Sequence, residues 1–206
     1  MNSGRSLSIA FYTEGMGVEG TPIEDQSIGG SESALWYMAR ALAARGHQVT
    51  VYCLCEHPGV YDGVTYAPAH HLMVLGGGIE VDLLIVSRFY PALGAPIRAN
   101  LRWLWLHDVP AGDRKNLLGF MGAFADQVMP LSNYHEGLVR GMDAPGMRPE
   151  AWRGAMDAIL WQTRNGVDID MIRRAGTKAS RHPQRLIFAS RPERGLQYLL
   201  TELWPR

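Results

Sequence analysis

The sequence holds only two cysteines, Cys53 and Cys55, and their spacing puts both side chains on one face of a β-strand. Strand neighbours at that spacing do not close a disulfide, and no second Cys or His pair stands at zinc spacing. The reading is a pair of buried free thiols in a reducing cytoplasm. Long apolar runs are also missing. The longest, residues 117–125, falls far short of the ~20 residues of a membrane-spanning helix. Met1-Asn2-Ser3-Gly4-Arg5 carries no apolar signal region, so a cytoplasmic protein is expected, with peripheral membrane contact left open. Excess charge of either sign is absent too: 20 basic and 20 acidic side chains cancel. That balance gives no electrostatic footprint for nucleic acid as the main partner. What remains, 206 residues with 47% apolar and 19% charged, is the composition of a soluble globular protein, one large domain or one domain plus part of another.

Along the chain, strand and helix patterns alternate. Residues 7–12 are a short β-rich apolar run, as a central buried strand would be, and residues 48–55 read as a second strand. Between them Leu35, Met38, Ala39 and Leu42 give a helix one apolar face, and Gly46 stands where a left-handed C-terminal cap belongs. Residues 64–67, 81–87, 101–107, 127–131 and 160–164 read as further strands, with helices over 113–126, after Ser132-Asn133 and over 151–158. His70-His71 reads as a solvated turn, and Gly76-Gly77-Gly78 as a turn. The alternation implies an α/β fold, a doubly wound, mainly parallel Rossmann-like sheet with right-handed crossovers. After Ile172 the composition turns polar and basic, and a new strand over 185–190 and a helix over 196–204 follow. One strand and one helix cannot cover both faces of a sheet, so these residues read as a fragment of a second Rossmann-like domain.

The stretch Ser27-Ile28-Gly29-Gly30-Ser31-Glu32-Ser33 joins a long loop to the clearest helix. Adjacent glycines let a ligand approach the backbone, the first helical N–H groups have no partner within the helix, and Ser31 or Ser33 offers a cap or a hydroxyl. With the positive end of the helix dipole this describes an anion site, and equally a plain helix start. Gly15-Met16-Gly17-Val18-Glu19-Gly20 spells the dinucleotide-binding G-x-G-x-x-G, but Thr21-Pro22 and a polar stretch follow it where a helix should open. His107 ends a strand just before Asp108. In open parallel sheets ligands bind at the carboxyl ends of strands, so it faces the expected cleft.

Taken together, Gly29-Gly30-Ser31-Glu32, His107-Asp108, Leu131-Ser132-Asn133-Tyr134, Asn165-Gly166-Val167-Asp168 and Ala189-Ser190-Arg191-Pro192-Glu193-Arg194-Gly195-Leu196 resemble glycosyltransferase family 4. The resemblance runs through nearly the whole chain in order. It implies the GT-B fold, two Rossmann-like domains facing each other across a cleft. It implies a nucleotide-diphosphate sugar as donor, transfer with retained anomeric configuration, no cofactor and no metal. Gly29, Gly30 and Ser31 would then bind substrate at the donor diphosphate and the acceptor, His107 would contact the transferring sugar, and Arg191 and Arg194 would hold the diphosphate. The acceptor, whether glycan, lipid or small molecule, is not identified by these motifs. The expected organisation is an acceptor-side domain over 1–172, a linker over 173–184 and the start of a donor-binding domain over 185–206. The family's E-x7-E pair belongs to the rest of that donor domain. Glu24 and Glu32 match the spacing but flank the N-terminal glycines. A chain of this length is therefore expected to be inactive alone. The readings weighed against this are a dinucleotide-binding oxidoreductase domain and a non-catalytic Rossmann-like interaction module.

Overall fold

A computed structural model of the chain describes residues 5–14, 17–19, 28–108, 114–142, 148–176, 182, 184–185, 187–188 and 192–204. It divides into two compact units, Met1–Gly166 and Val167–Arg206.

The first unit is built on seven strands: β1 (Ser8–Tyr12), β2 (Gln48–Cys53), β3 (Gly59–Tyr61), β4 (Val64–Pro68), β5 (Glu80–Ser87), β6 (Arg98–Trp105) and β7 (Gln127–Met129). They form one sheet in the order β3-β4-β2-β1-β5-β6-β7, parallel throughout except for the β3–β4 hairpin. This is the mainly parallel α/β Rossmann-like sheet that the alternating pattern predicts. β1 lies at its centre and is almost wholly buried, because Ile9, Ala10, Phe11 and Tyr12 must pack on both faces.

Alternation along β1 sorts the core. Ile9 and Phe11 face helix α1 (Gly30–Ala44) through Leu35, Trp36 and Ala39. Ala10 and Tyr12 face the opposite side, covered by α2 (Ala69–Leu75), α3 (Arg114–Phe124), α4 (Asn133–Arg140) and α5 (Pro149–Ile159). Each fully buried aliphatic or aromatic side chain contributes about 1.5–3 kcal/mol of transfer free energy. Gly46 takes φ +89 after α1, the left-handed cap its position predicts. The Arg102 guanidinium donates to the carbonyls of Leu93 and Ile97 at 2.5 and 2.7 Å, pinning the 3-10 turn Tyr90–Gly94 beside β6.

Several expectations are corrected. On α1 the buried face is rotated: Trp36 is buried while Met38 is 39% exposed, and Arg40 stacks over the Trp36 ring at 4.1 Å. His70-His71 is not a turn but the second and third residues of α2, whose Leu72 reaches the core. Residues 160–164 form no strand; Leu160 makes one parallel bridge to Val128. β6 starts earlier than expected and ends at Trp105, which leaves His107 two residues beyond the strand. β2 stops at Cys53. That thiol is buried, and burial pushes it up to about 12, while Cys55 beyond the strand is partly exposed; both are free. β3 is a further strand, paired antiparallel with β4 in a hairpin. Its Asp62-Gly63 turn takes φ +49 and +79, the left-handed pair a two-residue hairpin requires.

The second unit contains α6 (Ile169–Gly176), whose Asp168 carboxylate accepts from Met171 N–H at 2.8 Å, and α7 (Leu196–Tyr198), which continues as a wider turn over Leu199–Leu203. Residues 173–176 are thus helical. Of the strand expected over 185–190, residues 186, 189 and 190 lie outside the described residues, and Arg185, Ile187 and Phe188 carry no strand. No helix among the described residues is long and apolar enough to cross a membrane.

Candidate functional site

The chain leaves β1 for β2 on one side of the sheet and returns through β5 on the other, so the strand order reverses between β1 and β5. Segments leaving the carboxyl ends of two such strands diverge and leave a crevice. Here the crevice is a cleft of ≈ 350 Å³ lined by Thr13 and Glu14 after β1, Arg88 and Phe89 after β5, and Asp108 after β6.

Arg88 organises this rim. It sits at φ +67, a left-handed conformation uncommon for a side chain with a Cβ, and its N–H donates to the Trp105 carbonyl at 3.1 Å. That backbone turn sends the guanidinium across the ends of three elements. Nε lies 2.6 Å from Asp108 Oδ2, and Nη1 lies 3.4 Å from both Glu32 Oε1 and Ser31 Oγ.

Glu32 is buried at 7% exposure in the first turn of α1, and Ser31 Oγ donates to its Oε2 at 2.8 Å. A carboxylate in that turn complements the helix dipole. The N-terminus of α1 therefore carries its own anion. Gly29 is the extended N-cap residue, and a Cβ there would stand 2.2 Å from Glu32 Oε2. Around Gly30, by contrast, a Cβ would meet nothing within 4 Å.

His107 follows β6 with its ring 4.6 Å from that of Trp105. Burial pushes its imidazole down to about 4, against the opposing pull of the Asp108 carboxylate, so it is neutral at pH 7. Its Nε2 and the indole Nε1 of Trp105 are buried without a hydrogen-bond partner among the described residues. His135 stands nearby at 6% exposure in α4, where Ser132 caps the helix by accepting from His135 N–H at 3.1 Å. Burial lowers the pKa of His135 as well, partly offset by the backbone and charge of Asp108.

The structure thus brings Ser31, at the glycine-rich helix start, to the His107-Asp108 segment through Arg88. Arg194 lies exposed in the second unit, and Arg191 lies outside the described residues. Sequence reasoning missed Arg88 and Glu14, and it saw Glu32 only as part of a motif. The one available signal was the position of Glu14 and Arg88 just after apolar strand runs. Among the described residues no group of three or more His, Cys, Asp or Glu side chains could hold a metal ion. Chemically the cleft offers two carboxylate acceptors, Glu14 and Asp108, against one cation. Such walls suit a ligand rich in hydroxyl donors better than a bare phosphate.

No protein-family model matches the sequence, and no curated protein matches it. The structure is similar to the crystal structure of Anabaena Alr3699/HepE in complex with UDP-glucose, with a TM-score of 0.50 and 19% identity over 80% of this chain and 45% of that one. The same protein in complex with UDP and glucose gives a TM-score of 0.49 and 18% identity over 80% and 46%. The chain spans less than half the length of Alr3699/HepE, and what the two share at this identity is the fold.

Proposed function

We propose that the chain is the acceptor-side part of a glycosyltransferase that takes a sugar from a nucleotide diphosphate, with the retaining chemistry of family 4. The observation that carries this reading is His107: a neutral imidazole whose buried Nε2 has no hydrogen-bond partner among the described residues, next to the Arg88–Asp108 pair at the switch point of the sheet. A neutral ring nitrogen and two carboxylates are the groups that recognise sugar hydroxyls. Alr3699/HepE, which shares the fold, was crystallised with UDP-glucose. In the reaction an acceptor hydroxyl oxygen bonds to the anomeric carbon, the bond from that carbon to the diphosphate oxygen breaks with its electron pair leaving on the nucleotide diphosphate, and the hydroxyl proton passes to that leaving oxygen. Gly29, Gly30 and Ser31 border the donor, His107 touches the transferring sugar, and Arg191 and Arg194, in the part that opens the donor domain, hold the diphosphate. Fixed cations there stabilise the charge that grows on the leaving group.

Calorimetric titration with UDP-glucose at fixed salt tests the diphosphate assignment, comparing Arg194→Ala with Arg45→Ala at the exposed end of α1. A charge-assisted phosphate contact contributes roughly 1.5–3 kcal/mol, so Arg194→Ala should lose about tenfold or more in affinity while Arg45→Ala loses little. Equal small losses would mean general electrostatics rather than a diphosphate site.

A further inference from the structure

A second cleft, of ≈ 560 Å³, opens on the other side of β1 over the carboxyl ends of β2 and β4, and it shares Glu14 and Phe89 with the first. The two clefts therefore have these two residues as a common wall, yet their linings differ. Leu54, Met73, Val74 and Phe89 line the second cleft together with Cys53, Pro68 and Ala69. Among its described lining residues Glu14 is the one carboxylate, and there is no lysine or arginine. Leu54 is 58% exposed and Val74 73% exposed, so two aliphatic side chains stand in water at the mouth of a concavity. Phe89 packs toward Tyr12 with ring centroids 6.1 Å apart, and the buried Tyr12 hydroxyl donates to Glu14 Oε1 at 2.7 Å. Glu14 is thereby held at the wall that the two clefts share. Besides Glu14 and Tyr12 the polar side chains of this cleft are His70 and the two thiols, and a phosphate would find no lysine or arginine there.

We propose that this second cleft is the acceptor subsite and that it takes an amphiphilic acceptor, with a hydroxylated head group at Glu14 and an alkyl or aryl body along Leu54, Met73 and Val74. The acceptor role rests on the glycosyltransferase reading above. The apolar body is held by burial of its own surface against side chains that are otherwise exposed, a gain that grows with each methylene covered. The neutral head presents a hydroxyl at the point where the two clefts meet, so that the donor sugar in the first cleft and the acceptor oxygen share one wall.

The test is direct binding to the 206-residue chain, by calorimetry, of octyl β-D-glucoside below its micelle concentration and of methyl β-D-glucoside. The octyl compound should bind at least tenfold more tightly than the methyl one. Val74→Glu and Leu54→Glu should each abolish that preference, and because both positions are exposed the thermal midpoint of the variants should match that of the parent. Equal affinity for the two glucosides, or a preference that survives both substitutions, overturns the proposal. UDP-glucose titrated into the same samples separates this from failure of the underlying reading. A preference removed by Val74→Glu, with no response to UDP-glucose, would support the amphiphile site while contradicting its role as an acceptor subsite.

Discussion

Arg88 Nε stands 2.6 Å from Asp108 Oδ2, so the residue that follows β5 is tied to the residue beside His107 after β6. The pair is partly exposed, and such pairs contribute about 0.2–1 kcal/mol. Against it stands the left-handed backbone of Arg88, which costs a residue with a Cβ about 1–2 kcal/mol. Arg88→Gly should therefore unfold within about 1 kcal/mol of the parent in urea, and Arg88→Ala, which loses the ion pairs and keeps the strain, should be about 1 kcal/mol less stable than Arg88→Gly. Equal stability of the two variants would mean that the backbone at this position is not strained.

The glycine pair separates in the same way. Gly29→Ala drives a methyl against the Glu32 carboxylate, which Ser31 and Arg88 hold in place, and should cost about 1–3 kcal/mol. Gly30→Ala enters open space at the first residue of α1 and should be neutral or stabilising by up to about 1 kcal/mol. Urea unfolding of the two variants gives the comparison, and a Gly29→Ala protein as stable as Gly30→Ala would show that Glu32 moves freely.

The sequence read the sheet well and the rim poorly, for physical reasons. β1, β2, β5 and the Gly46 cap follow from apolar runs and from a residue type with few alternatives. Met38 and Trp36 exchanged roles because both lie at the margin of one helical stripe, and the packing of α1 on the sheet decides which is covered. The three-residue strand β3 has too little apolar pattern to announce itself, although Asp62-Gly63 is the turn signal. Ser31, Gly29, Gly30 and His107 were legible as loop-to-helix and strand-end positions. Arg88 was not: its partners lie 56 residues back at Glu32 and across β6 at Asp108, and its turn conformation is not written in the type of residue.

His107 makes stability depend on pH. Its folded pKa of about 4 lies below the ordinary ~6.5 of an unfolded histidine, so between those values the unfolded chain binds a proton that the folded one refuses. The contribution is fully present above pH ~6.5 and is lost as pH falls toward 4, with His135 adding to the same slope. His107→Phe, which fills the site without titrating, should flatten the fall in unfolding free energy between pH 7 and pH 4.5 by roughly 2 kcal/mol. An NMR titration placing the His107 pKa near 6.5 would contradict this.

Whether a nucleotide sugar meets this rim is read by titrating ¹⁵N-labelled chain, first with UDP-glucose and then separately with NADH, and following the amide chemical shifts. UDP-glucose should move the amides of Ser31, Arg88, His107 and Asp108 together and saturably, while NADH leaves them in place. Saturable shifts of the same four amides by NADH, or a UDP-glucose response that bypasses them, would contradict it.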